Sequence, residues 1–528
     1  VYGGAILSSK TINIKGGEFN ENDGYWAGAI YAGSSTTKDK KGNLVLGGKV
    51  TIDGTTFKGN YGRINAGALY VASSNTIIEN AIFDGNHADA YGGAILIATS
   101  DDIAKINSTT FKGNYVNANG GAIYNSGNLK VNIVEKKDEK VSSGDDSTSS
   151  ENNDIKYTTT IFDSNKADNG GAIYNAGKVI ADNVKFTNNK ITCNGGAINN
   201  TGYVKLTNAI FESNIADSTK IENKGGAIYN NPTITESTEE KPQGLNVSTS
   251  AFGSNEADLG GAIYSVNLLT ISDTIFGGTR KETYEEQVDT GKTDKDGKPI
   301  YETVTKEKDV TYGGNVAKKS GGAIYNKGQA IISNTEFHNN SAVNSGGAIY
   351  NEYFLQIGEI NINDEGKTDL DVYNETKHTN IFVENSSKNG GAIYHSTNNY
   401  LFYVNGASFT KNTASMNGGA IYNNGYMVVN NIKFDSNVAK GDGGAIYNTG
   451  KNDRSGIYNS LFVNNSAVNG GAIYTNTGKV NYQLTIQQVK FGQYDEVSKT
   501  TSDGNIASGN GGALYIGSKS KVNIISSG

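Results

Sequence analysis

Tyrosine is the side chain that recurs most regularly with chemistry to offer. It stands two positions after the alanine of a Gly-Gly-Ala or Ala-Gly-Ala phrase at Tyr31, Tyr70, Tyr124, Tyr174, Tyr229, Tyr264, Tyr325, Tyr350, Tyr394, Tyr422, Tyr447, Tyr474 and Tyr515, and Leu7, Leu96 and Asn199 take the same place elsewhere. A phenol ring brings an apolar face and one hydroxyl, which is the chemistry of contact rather than of bond-making. The groups that make and break bonds are not assembled in this way. His87, His338, His378 and His395 are scattered without metal-ligand spacing and read as turn residues, so no metal or cofactor is expected. Cys193 has no second cysteine, which removes disulfides and multi-cysteine metal sites. Asp84, Asp163 and Asp435 recur at one place in a repeat, which marks them as corner residues rather than as a catalytic pair.

The elements that position the tyrosines follow from the repeat. Gly-Gly-Ala or Ala-Gly-Ala occurs sixteen times, with its second glycine at positions from Gly4 to Gly512, and the following residue is always Ile or Leu. A second phrase, Phe-x-x-Asn, alternates with it and is intact thirteen times; Phe276 with Asn315 and Phe491 with Asn505 are the same phrase opened by an insertion. A clean unit spans Gly171 to Gly195 and holds three short apolar stretches, Ala172 to Tyr174, Val179 to Ala181 and Val184 to Phe186, separated by Asn, Gly and Asp. Stretches that short, bounded by turn formers, are strands. Three strands and three corners in such a unit describe one coil of an all-β, single-stranded parallel β-helix, here of sixteen coils. At the strand spacing of about 4.8 Å such a rod is on the order of 75 Å long.

Strand alternation then assigns faces. The Ile or Leu after each motif alanine and the Phe point inward, the asparagines of both phrases form side-chain ladders from coil to coil, and Tyr is left outside as a partly exposed stripe. Cross-strand packing and a binding face are both open to such a stripe; Tyr124, Tyr174, Tyr229, Tyr264, Tyr325, Tyr350, Tyr394, Tyr422, Tyr447 and Tyr474 are its candidate binding residues.

The composition agrees with a thin core. The chain has 528 residues with 68 Gly and 3 Pro, and its 36% hydrophobic content is low for several ordinary globular domains. One continuous helix from 1 to 528 is expected instead, with Pro232, Pro242 and Pro299 confined to over-long intervals. A net charge of −7 and only three arginines set nucleic acid aside as a partner. No apolar run is long enough for a membrane-spanning helix, so direct membrane insertion by this segment is not expected. Starting at Val1 and stopping within the repeat at Gly528, the chain reads as a piece of a larger mature protein.

Insertions leave from the corners at about 135–154, 234–244, 279–312 and 358–373, with smaller ones at 33–42 and 494–503. The segment 279–312 alternates on both sides of a Gly- and Asp-rich turn and is expected to be a hairpin presenting Tyr284 and Tyr301 for binding. Its Asp294-Lys295-Asp296-Gly297 lacks the downstream Glu that a calcium loop requires.

The alternation of Gly-Gly-Ala-Ile, as at Gly171 to Ile173, with Phe-x-x-Asn, as at Phe186 to Asn189, resembles the polymorphic outer membrane protein repeats of bacterial autotransporter passengers, and also the adhesin-like surface proteins of gut bacteria and methanogenic archaea. The resemblance implies a right-handed β-helix displayed outside the cell, at the cell surface, and an adhesive role; its motif contains no catalytic residue. The expected function is a non-enzymatic adhesin or stalk whose partners are a protein or glycan on another cell surface, or copies of itself. A subunit of an extracellular filament or sheath is the alternative, and a glycan-cleaving β-helix enzyme the third reading. Seven Asn-x-Ser/Thr sequons, at Asn107, Asn199, Asn246, Asn339, Asn374, Asn385 and Asn464, are explained by chance in so Asn-rich a chain.

Overall fold

The computed structural model describes residues 2–33, 48–72, 75–98, 103–134, 157–217, 221–233, 243–293, 299–360, 378–397, 399–478, 482–495, 500–518 and 520–525. Of the expected insertions, 135–154 lies outside these residues, as do most of 33–42, 234–244 and 358–373.

Each coil runs through three parallel sheets. In the clean unit these are the strands Ile173–Asn175, Lys178–Thr187 and Lys190–Asn194, and the next coil begins at Ile198–Asn200. Repetition builds a 16-stranded sheet from Ile6–Ser8 to Leu514–Ile516, a 27-stranded sheet, and a 15-stranded sheet from Asp23–Gly24 to Ile506–Ala507. The chain is therefore a right-handed parallel β-helix of about sixteen coils. The division within a coil is finer than the apolar stretches suggest. Val179 to Ala181 and Val184 to Phe186 are two arms of one bent strand, and the third face is the segment between Phe-x-x-Asn and Gly-Gly-Ala.

Three left-handed residues bend the chain in each such coil, one within the second-sheet strand and one at each end of the third-sheet strand. In this unit they are Asn183 (φ 49°), Asn188 (φ 55°) and Gly195 (φ 71°). Asn tolerates that region better than most L residues, which is why it punctuates the repeat. The second glycine of each pair has a different reason. A Cβ on Gly196 would lie 1.8 Å from the carbonyl oxygen of Gly226 in the next coil, so that corner closes only on a bare backbone.

Inside, the register places like on like. Phe19, Phe57, Phe83 and their equivalents stack ring on ring through every coil to Phe491, with centroids 4.6–5.4 Å apart. The Ile of Gly-Gly-Ala-Ile is buried from Ile30 to Ile473 and completes one continuous core with the Val, Leu and Ile of the second sheet. Each coil is lidded by the next, so little apolar residue per coil suffices.

The Phe-x-x-Asn asparagines form the polar counterpart. From Asn22 to Asn505 each Nδ2 donates to the Oδ1 of the next coil's Asn at 2.8–3.0 Å. Asn214 shows the full set. Its backbone N–H and Nδ2 both donate to Asn255 Oδ1, its second Nδ2 hydrogen goes to the Phe186 carbonyl, and its Oδ1 accepts twice from Asn189. A buried amide with every group paired costs nothing in orphaned polar atoms. Asn315 and Asn505, separated from their phenylalanines by insertions, take their rungs unchanged.

Candidate binding surface

The tyrosines occupy the outer side of the first sheet, between the inward Ile and the inward Asn of each three-residue strand. They form a stack, but one with two breaks. Tyr31 stacks on Tyr70 at 4.7 Å and Tyr124 on Tyr174 at 5.3 Å, and Leu96 separates the two pairs. Asn199 forms the second break. Beyond it Tyr229, Tyr264, Tyr325, Tyr350, Tyr394, Tyr422, Tyr447, Tyr474 and Tyr515 stack without interruption at 4.6–5.5 Å.

Exposure along the stripe is uneven. Most of these rings are half-buried, but Tyr264 and Tyr325 are only 4% and 8% exposed, where a partly exposed stripe was expected. The cause is local. Leu259 packs against both, the Lys224 ammonium lies 5.4 Å from the Tyr264 ring, and the Tyr325 hydroxyl donates to Glu352, which Lys327 holds at 3.2 Å. Burial pushes the Tyr264 and Tyr325 hydroxyls far above their usual pKa, the Glu352 carboxylate adding to the effect at Tyr325. Tyr394 and Tyr447 are raised by burial to about 12. All four phenols are neutral donors at any physiological pH.

The hairpin is present. Strands Gly278–Thr293 and Pro299–Tyr312 pair antiparallel from Gly278 opposite Tyr312 outward. Its base is anchored: Tyr312 is buried against Ala251 and Ile275, and its hydroxyl donates to Glu282. The Arg280 guanidinium lies 5.8 Å from the Tyr312 ring and pairs with Glu282 at 3.2 Å. Further out Tyr284 is 39% and Tyr301 56% exposed, and the arms are laced by Lys306 to Glu286 and Lys281 to Glu307. Asp294 to Gly297 lie outside the described residues. A second, shorter hairpin, Gln493–Asp495 with Thr500–Ser502, occupies the insertion at 494–503.

The bond-making candidates do not converge. Burial raises the Asp163 pKa, but hydrogen bonds from Asn188, Thr187 and Ser164 outweigh it and leave the carboxyl below its ordinary value. Asp84 stands in register with Lys58 and Lys112, and Asp435 accepts from Ser436. Among the described residues no three His, Cys, Asp or Glu side chains could hold a metal ion, and no helix is long and apolar enough to cross a membrane. The Cys193 thiol is half-buried and pushed up by that burial.

His395 corrects the expectation that the histidines decorate turns. It is fully buried in the ladder of asparagines that follow the tyrosines, taking the place that Asn351 and Asn423 hold in the adjacent coils. Asn351 Nδ2 donates to its Nδ1 and its Nε2–H donates to the Tyr400 carbonyl, and burial lowers its pKa to about 4. Three sequon asparagines, Asn107, Asn199 and Asn385, are likewise buried, and Asn385 is a rung of the main ladder.

Sequence reasoning missed the outer column of the third sheet, which includes Tyr61, His87 and Tyr115. The signal was available, because each is the residue after a Phe-x-x-Asn asparagine.

The solenoid therefore combines a repeated interior with a varied exterior. Seven segments of this one, 80–98, 108–126, 159–176, 334–352, 406–424, 431–449 and 459–476, match the Chlamydia polymorphic membrane protein repeat. The chain thus carries repeats of this type over part of its length, and proteins of that family are outer-membrane or surface-exposed in Chlamydia. Neither a curated protein nor a solved structure matches it.

Proposed function

We propose that the chain is a non-enzymatic adhesive passenger, in which the solenoid acts as a stalk and the hairpin and outer tyrosines make contacts with a protein or glycan on another cell surface. The observation that supports this reading is how the hairpin is inserted. It interrupts Phe-x-x-Asn between Phe276 and Asn315, yet the rings of Phe252, Phe276 and Phe337 still stack at 4.8 Å and Asn315 still bonds both neighbouring rungs. The interior is indifferent to the arm, so the arm's Tyr284 and Tyr301 owe their exposure to something other than folding.

The same observation designs the test. Deleting residues 278–313 leaves Phe276-Gly277-Gly314-Asn315, which restores the spacing of an uninterrupted coil. Intact and deleted chains compared for binding to host cells, and to arrays of host proteins and glycans, should differ, with the deleted chain weaker. Equal binding would remove the hairpin from the contact surface. Reducing-sugar release from a polysaccharide panel would overturn the non-enzymatic reading.

A further inference from the structure

The outer column of the third sheet changes character along the rod while its register stays fixed. Tyr61, His87 and Tyr115 fill it in three successive coils, and Ser341, Ser386 and Thr413 fill the same place further on. The fold accepts a hydroxyl there, since the inner side of the sheet is closed in both regions, by Ala88 and Val116 in one and by Ala342 and Ala414 in the other. Aromatic rings in the early coils are therefore not demanded by packing.

Their arrangement has the makings of a site. The His87 ring lies between Tyr61 at 4.1 Å and Tyr115 at 4.7 Å, with interplanar angles of 12° and 3°, and Tyr115 is 42% exposed. Beside the stack, Arg63 grips Asp23 through Nε and Nη2 at 2.9 and 2.7 Å, and the Tyr61 hydroxyl donates to Asp89 at 3.1 Å. One of the chain's three arginines and one of its four histidines thus meet within a few coils. The salt bridge with Arg63 holds the Asp23 carboxyl below its ordinary range, and burial lowers His87, so the imidazole is neutral at pH 7. Lys166 follows Tyr115 in the column, so Asp23 and Asp89 stand against Arg63 and Lys166, and the patch lacks the excess of positive charge that a polyanion needs.

Rings with apolar surface, hydroxyl and carboxylate acceptors, and a fixed guanidinium donor are complementary to a ligand with apolar C–H faces and many hydroxyls. We propose that the patch formed by Tyr61, His87, Tyr115, Asp23, Arg63 and Asp89 binds a neutral saccharide chain. The inference deepens the adhesive reading and rests on it for its setting, but it names a different face of the rod from the hairpin and the tyrosine stripe.

The test uses the intact chain and neutral hexasaccharides of glucose, mannose, galactose and N-acetylglucosamine, with polygalacturonate as the anionic comparison. Binding is read by calorimetry and by the imidazole proton resonances, which only four histidines contribute and of which His87 is assigned by a His87→Ser variant. At least one neutral hexasaccharide should bind and shift the His87 resonances. A Tyr61→Ser/Tyr115→Ser variant should bind at least about tenfold more weakly with an unchanged melting temperature. No shift with any hexasaccharide, undiminished binding by the double variant, or binding of polygalacturonate alone would each overturn the proposal. Host-cell adhesion separates the two readings: adhesion retained where no saccharide binds overturns the saccharide site and leaves the adhesive role standing. Saccharide binding retained where the intact chain adheres to no cell does the reverse.

Discussion

The inner and outer columns of this rod are built by the same device and obey different rules. Phe stacks on Phe from Phe19 to Phe491 with no substitution, and the asparagine ladder beside it is equally unbroken from Asn22 to Asn505. The tyrosine column uses the same coil spacing but is interrupted by Leu96 and Asn199. An inner ring is touched above and below by its copies and sealed by the core, so a missing member leaves a cavity. A missing outer ring leaves space that water or a neighbouring side chain can fill. Constraint therefore follows enclosure more than stacking.

The sharpest way to break this contrast is to remove a rung. Asn214→Ala strips buried partners from the Asn189 amide and the Phe186 carbonyl and leaves Asn255 Oδ1 only the backbone N–H of residue 214, and it should cost about 4 kcal/mol in urea unfolding, in the same range as Phe→Ala at Phe211. A loss below about 1 kcal/mol would show that water replaces the ladder.

The next effect concerns His395, the one buried rung that titrates. Its pKa is about 4 folded against about 6.5 unfolded. The unfolded chain therefore binds more protons between those values, and stability is complete above about pH 6.5 and declines as pH falls towards 4. The decline should reach about 3 kcal/mol at that site. His395→Asn, which restores the residue found in the neighbouring coils, should flatten the acid limb of a melting-temperature profile between pH 7 and 4. An unchanged acid limb would place the sensitivity in other groups.

Outer substitutions should be milder. Tyr422→Ser removes two stacking contacts of a half-buried ring and should cost about 1–2 kcal/mol without altering the fold, as followed by circular dichroism. In the opposite sense, Asn199 is buried with Oδ1 unpartnered between Tyr174 and Tyr229. Asn199→Tyr should join the two stacks and stabilise by about 1 kcal/mol. Destabilisation by this change would mean that the break is structural, and that the outer column is as constrained as the inner ones.

How much could be read beforehand follows the same division. The inward Ile and Phe, both asparagine ladders, the displaced partners Asn315 and Asn505 and the long hairpin were all legible, because a residue enclosed by its own copies must recur. The third sheet was not legible as a strand. Its inner positions range from Ala88 and Ala439 to Val116 and Ile191, and its outer ones vary from Tyr61 to Ser386, so no residue type marks it. The burial of Tyr264 and Tyr325 depends on Leu259, Lys224 and Glu352, each unique to its coil. Repetition reveals what the fold requires of every coil and is silent on what one coil does alone.

The ladder has one more property, which is direction. Every Nδ2 points to the Oδ1 of the coil on its C-terminal side, so the amide dipoles run in series and none opposes its neighbour. Along this ladder a coil thus offers amide donors on one face and amide acceptors on the other. The ladder is electrically polar along its length, and only a coil added head to tail continues it.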